Sequence, residues 1–292
     1  TVATIRDLRD RIDSVGSIQK ITRAMEMVAT TKLRRFQVKT VAAKPYGERL
    51  DALVSGLSGT LSGDSSAAGS AAALFAPGNT EAPVGILLVG SDRGLCGAYN
   101  SNIQRKLDAE LAKIEGDYVL YVVGKKAMAY AGRMNYPVSH YFEDFSLEKM
   151  TAADASVLAS ALVEDFRCGK VSTVHLCSTL FVSAARYVQS FQQFLPIATD
   201  SRDESVTAGD AILEPTGPEL MGELIPRYLE NRFFQAFLEA ITSEYASRRF
   251  AMKGATDAAS DMKKDITRLY NRARQAKITQ EISEIVSGAA AL

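Results

Sequence analysis

The chain has 292 residues, 47% hydrophobic and 23% charged, which fits one large or two ordinary globular domains. Its 34 basic and 34 acidic residues cancel, yet residues 1–50 carry +6, residues 227–292 carry +3 and the middle carries −9, so ends and centre are expected to meet different surfaces. Three cysteines in no CxxC spacing and two histidines exclude a disulfide framework and offer no metal-ligand pattern. No apolar run approaches the ~18–20 residues that span a bilayer. The residues from Thr1 onward do not read as a secretory leader, and none is expected. Processing of an initiator Met or a targeting segment before Thr1 is expected, and any work at a membrane is expected to be that of a peripheral subunit.

Taken in chain order, the first region covers residues 1–61. Ile5, Leu8, Ile12, Val15, Ile18, Ile21, Met25 and Val28 fall three or four apart, the stripe of an amphipathic helix that Leu33 and Phe36 continue. Pro45 removes a helical hydrogen bond, so a kink or break is expected there. Residues 62–83, rich in Ser, Ala and Gly, read as a flexible connection. From 84 to 213, strand-like and helix-like stretches alternate. Strands are expected at 84–89, 119–123, 138–142 and 171–177, with a weaker one at 187–194, and helices at 100–114, 125–131 and 152–166. That alternation predicts an α/β domain with a largely parallel, Rossmann-like sheet.

The last region, 214–292, carries the strongest periodic signal. No proline follows Arg227, and Phe234, Leu238, Ile241, Tyr245, Met252, Ala255, Ala259, Met262, Ile266, Leu269, Ala273 and Ala276 recur at steps of four and three. This is a heptad seam broken at Arg248. A helix over 227–286 would be ~90 Å long at 1.5 Å per residue. A domain of ~130 residues has a radius of gyration of only ~14 Å, so such a helix is expected to project. An apolar seam needs a partner, and the N-terminal stripe is the other long helix. The expected fold class is α/β, with an antiparallel coiled coil of the two terminal helices rooted in the central domain. The seam alanines allow a close approach.

A search for catalytic chemistry finds little. Gly124, Lys125 and Lys126 follow a strand but lack the earlier glycine and following hydroxyl of a phosphate loop. The turn Gly-Ser-Asp-Arg-Gly-Leu-Cys-Gly at 90–97 has neither the full GxGxxG spacing nor a GxSxG elbow. A tight turn is the simpler reading than an anion site. His140 and His175 sit in or beside strands without triad partners. The basic N-terminal helix lacks a platform of stacking aromatics, so nucleic acid is not an expected partner. No catalytic residue, metal, cofactor or direct nucleotide binding is expected. The pattern is that of a mechanical or binding element.

Three stretches carry a family likeness. Residues 18–33 (IQKITRAMEMVATTKL), 91–97 (SDRGLCG) and 270–292 (YNRARQAKITQEISEIVSGAAAL) resemble the N-terminal helix, an internal motif and the C-terminal signature of the γ subunit family of F-type ATP synthases. The resemblance covers the whole chain and is weakest across 60–83 and 135–215. It implies a non-catalytic rotor shaft that couples proton-driven rotation of a membrane c-ring to conformational changes in catalytic β subunits. The implied partners are the α and β subunits of the F1 hexamer, the ε subunit and the c-ring. It also implies a peripheral position on the inner or plasma membrane. Glu26 between two methionines favours the cytoplasmic face of a bacterium over the matrix face of the mitochondrial inner membrane. A coiled-coil scaffold with no rotary role, and a nucleotide-binding enzyme built on the α/β domain, are the alternatives.

By the same resemblance, Lys20, Arg23 and Met25 on the first helix are expected to contact β, as are Arg274, Gln275, Thr279 and Glu284 on the last. Ile285, Val286, Ala289 and Leu292 form an apolar tip suited to a bearing. Lys44, Pro45 and Tyr46 lie at a foot facing the c-ring and ε, with the stretch Arg202, Asp203 and Glu204 a weaker candidate. No insert with paired cysteines lies near 195–215, so thiol regulation of the chloroplast kind is not expected.

Overall fold

The computed structural model describes residues 4–58, 72–198 and 217–290. The elements in chain order are α1 (Ile5–Ser58), β1 (Val84–Val89), α2 (Tyr99–Leu111), β2 (Tyr118–Val123), α3 (Lys125–Arg133), β3 (Val138–Tyr141), α4 (Ala152–Arg167), β4 (Val174–Ser183), β5 (Arg186–Leu195) and α5 (Gly217–Ala290). The chain divides into two compact units, Thr1–Thr31 with Arg248–Leu292, and Lys32–Ser247. The first is a helix pair and the second carries the sheet.

The helix-pair unit begins with a reciprocal cap. The Asp7 N–H donates to Thr4 Oγ1 at 3.2 Å and the Thr4 N–H to Asp7 Oδ2 at 3.0 Å, satisfying donors that a helix start leaves open. The pairing is antiparallel: Thr22 meets Thr256 through their hydroxyls at 2.9 Å, and Gly16 faces Lys263. The buried line departs from the expected stripe. In α1 Leu8 is buried as expected, but farther along the inward line passes the half-buried Gln19, Thr22 and Glu26 to the buried Ala29, while Ile18, Ile21, Met25 and Val28 are exposed. In α5 it passes Met252, Thr256 and Ala259 and leaves the expected seam residues Met262 and Leu269 each 55% exposed. The reason is that Thr256 Oγ1 also reaches the Met252 carbonyl, at 2.8 Å. A hydroxyl satisfied within its own helix can occupy a seam at little cost, which turns the larger apolar residues outward. Gly254 lies inside the unbroken helix.

In the sheet unit, the strand order is β3-β2-β1-β4-β5, with the first four parallel and β5 antiparallel to β4. Ile86, Leu87, Leu88 and Val89 of β1 are all fully buried, as a parallel sheet covered on both faces requires. On one face Ile86, Leu88, Leu120 and Val122 pack with Ile103 and Leu107 of α2 and with Ala127, Tyr130 and Ala131 of α3. On the other, Tyr121 donates to Asp165 of α4 at 2.7 Å, and Phe194 of β5 meets Phe233 of α5 with ring centroids 3.9 Å apart. The expected end of β4 at residue 177 falls short by six residues. Ser178 and Thr179 are polar but buried, and the β5 ladder carries the strand on to Ser183. Ser183 Oγ then accepts the Ala185 and Arg186 N–H groups, closing the hairpin.

Within this unit α1 and α5 also run antiparallel. Thr40 and Thr242 share a buried hydroxyl contact at 2.9 Å, and Gln235 Nε2 donates to the Ala43 carbonyl at 2.9 Å. Pro45 does not break α1. It is exposed, as is Val41, so the carbonyl that loses its helical partner is on the wet side of the helix. Of the Ser/Ala/Gly-rich stretch, residues 72–83 are described; Leu74 is buried and its carbonyl accepts the Ile197 N–H at 2.8 Å.

Candidate interaction surface

In the helix-pair unit the outward residues fall into two chemical sets. Ile18, Ile21, Met27 and Val28 of α1 are each more than half exposed, and Met25 is 40% exposed. Lys20 and Arg23 are exposed among them. Neither enters an ion pair among the described residues. The result is an apolar row edged by unneutralised positive charge. On α5, Ile278, Ile282, Ile285 and Val286 are exposed, the last two at 72% and 61%. Such a run of large apolar side chains facing water marks a surface made to be covered.

The expected contact residues of α5 lie on this exposed stretch. Arg274 and Gln275 are exposed, and so is Thr279, whose hydroxyl donates to the Gln275 carbonyl at 3.0 Å. Glu284 is exposed and accepts from Gln280 Nε2 at 2.9 Å. Ala289 is exposed as well, whereas Leu292 lies outside the described residues. In the sheet unit Lys44, Pro45 and Tyr46 of α1 are each exposed, Tyr46 at 54%. Arg202, Asp203 and Glu204 fall outside the described residues. Sequence reasoning missed Ile18, Ile21 and Val28 as surface residues. A signal was present: Gln19, Thr22 and Glu26 repeat at the same helical steps one position along.

The turn at 90–97 is a joint rather than a ligand site. Gly124, at φ 98°, would place a Cβ 2.2 Å from the Gly90 carbonyl oxygen, so the two loops can touch only as glycines. Asn100 Oδ1 accepts the Ser91 N–H at 3.2 Å and its Nδ2 donates to Ser91 Oγ at 2.7 Å. The N-terminus of α3 is met by the chain's own Asp92, whose Oδ1 accepts the Lys125 N–H at 3.3 Å. Ser247 Oγ donates to the Cys96 carbonyl at 2.6 Å, tying α5 to the turn. A cleft of about 390 Å³ opens beside it, lined by basic Arg93, Lys125 and Lys149 and by acidic Asp92, Glu143, Glu148 and Glu244. Mixed charge of this kind selects no single ligand sign. Among the described residues no His, Cys, Asp or Glu cluster is arranged to hold a metal ion.

A long antiparallel helix pair with apolar residues turned outward, and an α/β sheet unit whose polar turns are consumed by internal bonds, define a structural subunit of a larger assembly. Known proteins narrow this class. The family model described as ATP synthase matches residues 4–292. The ATP synthase gamma chain of Mycobacterium marinum is 40% identical over 310 residues, covering 99% of this chain and 98% of its own. That of Erythrobacter litoralis is 37% identical over 297 residues and covers both chains in full. Among solved structures, a chain of the Euglena gracilis mitochondrial ATP synthase (OSCP/F1/c-ring) has a TM-score of 0.67 at 18% identity, covering 98% of this chain and 94% of that one. A chain of the Tetrahymena thermophila central stalk and c-ring structure has a TM-score of 0.58 at 21% identity, covering 80% and 99%. The chain belongs to the ATP synthase γ chain family. It is a non-catalytic subunit, the rotor shaft of that machine, and a scaffold without a rotary role is set aside.

Proposed function

We propose that this chain carries torque between a membrane c-ring and the catalytic β subunits of an α/β hexamer, with an ε subunit at its foot. The observation that supports this best is the outward apolar row of the helix-pair unit, Ile18 to Val28 on α1 and Ile278 to Val286 on α5. A surface that differs from side to side favours a different β conformation at each angle, so rotation and nucleotide occupancy become linked free energies. Lys20 and Arg23 attract acidic β loops at short, salt-screened range, and Met25 adds an apolar contact between them. Arg274, Gln275, Thr279 and Glu284 serve the same interface from the second helix. Ile285, Val286, Ala289 and Leu292 form the bearing tip. Lys44, Pro45 and Tyr46, with Glu204, face the c-ring and ε.

The division that goes with this role is a coiled coil of residues 1–61 and 214–292, a connection at 62–83 and a foot at 84–213. The bacterial γ chains similar to this one support a place at the cytoplasmic face of a bacterial membrane. Deleting the residues after Lys277 tests the reading. Amide exchange in β1 and β2 should stay slow, while assembly with the hexamer and proton-driven ATP synthesis fall. Loss of protection in β1, or synthesis at the full rate, would overturn it.

A further inference from the structure

Glu148 lies in the loop between β3 and α4, far in sequence from both long helices, and its carboxylate serves each of them. Oε1 accepts from Lys32 Nζ of α1, and Oε2 accepts from the Tyr245 hydroxyl of α5 at 2.6 Å. Lys32 Nζ also donates to the Tyr245 oxygen, at 3.3 Å, so the three polar groups close a triangle. The Tyr245 ring stacks on Phe36 of α1, with centroids 5.7 Å apart and planes 8° from parallel. The Lys32 ammonium sits 5.4 Å from the centroid of the Tyr245 ring. Lys32 and Glu148 retain about a third of their side-chain exposure, 31% and 34%. Burial pushes the Glu148 carboxyl up, but the bonds from Lys32 and Tyr245, with the Lys32 and Arg93 charges, outweigh it and hold it below the usual range.

We propose that Glu148 is a positioning residue for torque transfer, fixing the angle of the α/β sheet about the α1–α5 pair through Lys32 and Tyr245. The inference rests on the rotor-shaft reading. Elsewhere the sheet grips α5 largely through apolar packing, with Phe194 against Phe233 and Phe237 beyond it. Apolar burial resists separation, but it is non-directional and tolerates small slips. A charge-assisted triangle is directional: a shift of about 1 Å takes its donors out of hydrogen-bond range. Two further polar ties, from Tyr187 through Ser247 to the Cys96 carbonyl and from the Ser156 hydroxyl of α4 to Glu230, reach α5 alone. The Glu148 triangle engages α1 and α5 together, so a load on the sheet turns both helices as one body.

The test uses full-length chain assembled with its ATP synthase partner subunits in membrane vesicles, reading ATP hydrolysis and ATP-driven proton uptake on the same sample. Glu148→Gln removes the charge and keeps the shape; Tyr245→Phe removes one hydroxyl and keeps the stacked ring. In each, proton uptake per ATP hydrolysed should fall about two- to threefold, the scale on which single side chains alter coupling. Lys32→Glu should do the same, and adding Glu148→Lys to it should recover part of the ratio. Unchanged ratios in Glu148→Gln and Tyr245→Phe would overturn the proposal, as would an exchanged pair no better than Lys32→Glu alone. Should Glu148→Gln fail to assemble, Tyr245→Phe decides. A wild-type chain that restores no proton uptake to complexes lacking it would instead sink the shaft reading, which separates the two failures.

Discussion

The same helix behaves as two different objects in the two units. In the sheet unit, every residue of α5 from 241 to 247 is buried, including Thr242, Ser243, Glu244 and Ser247. In the helix-pair unit, every residue from 274 to 289 is exposed, including four large apolar side chains. A helix buried on all sides is part of a core, whereas one that shows apolar residues to water awaits cover. The difference separates residues that hold this chain together from residues that, on the proposed reading, meet another. Composition alone does not make the distinction, because Ile241 and Ile282 are the same residue type.

The largest expected effect tests the first half of that contrast. Phe233 is fully buried between Phe194 and Phe237. Phe233→Ala should cost about 3–5 kcal/mol, through lost burial and the cavity left behind. Denaturant unfolding of the purified chain measures it. A cost below about 1 kcal/mol would mean that this part of α5 is no core.

Next come the threonine pairs, one in each unit. Thr40 and Thr242 are buried at 4% and 0% exposure with their hydroxyls in contact. Thr40→Val should cost about 1–1.5 kcal/mol, because the Thr40 hydroxyl contact is lost while Thr242 still donates to the Leu238 carbonyl at 2.6 Å. The double variant with Thr242→Val should cost less than the sum of the two singles, since it replaces both polar partners with similar shapes. Thr22 in the helix-pair unit is only half-buried. Thr22→Val should therefore fall near the low end, at about 0.5 kcal/mol. Equal costs in the two units would erase the contrast.

The parallel sheet was legible because its strands are short apolar runs bounded by turns, as in Val-Gly-Ile-Leu-Leu-Val of β1. The long helices were legible from their period and from the absence of late prolines. The early start of α5, at Gly217, was not, because Pro226 reads as a barrier. Gly222, whose carbonyl the proline cannot bond, is exposed, so water can satisfy it. The seam of the helix pair was misplaced because Gln19, Thr22 and Glu26 look like surface residues until Thr256 supplies a partner. The Glu148 triangle was hidden for another reason. Its members stand 116 and 97 positions apart, and no local pattern links a loop carboxylate to two helices. The contact residues expected on the two long helices came from family likeness, whereas periodicity placed the neighbouring apolar ones in the seam.

A smaller effect is expected from His175, on β4 in the sheet unit. Its Nδ1 is buried without a hydrogen-bond partner, and the ring meets Phe191 edge-on at 4.9 Å. Burial lowers its pKa below the ordinary 6.5, with Glu110 opposing weakly. The unfolded chain then binds a proton that the native chain refuses, so stability is lost as pH falls below about 6.5. His175→Leu should flatten that acid limb in unfolding curves taken across the range. An unchanged limb would show that the carboxylates dominate it.

The smallest effect on stability belongs to the helix-pair unit, and it is informative because it should be close to nothing. Ile282 is 56% exposed, and Ile and Ser have similar helix propensities. Ile282→Ser should leave the unfolding free energy of the purified chain within about 0.5 kcal/mol of wild type. The same change should weaken assembly with the partner subunits, because a hydroxyl then enters an apolar contact without a guaranteed partner. Titration of labelled chain into complexes lacking it would read the loss. If the isolated chain instead lost more than about 1 kcal/mol, Ile282 would be buried within the chain itself, and the outward row would be internal packing rather than a surface for another protein.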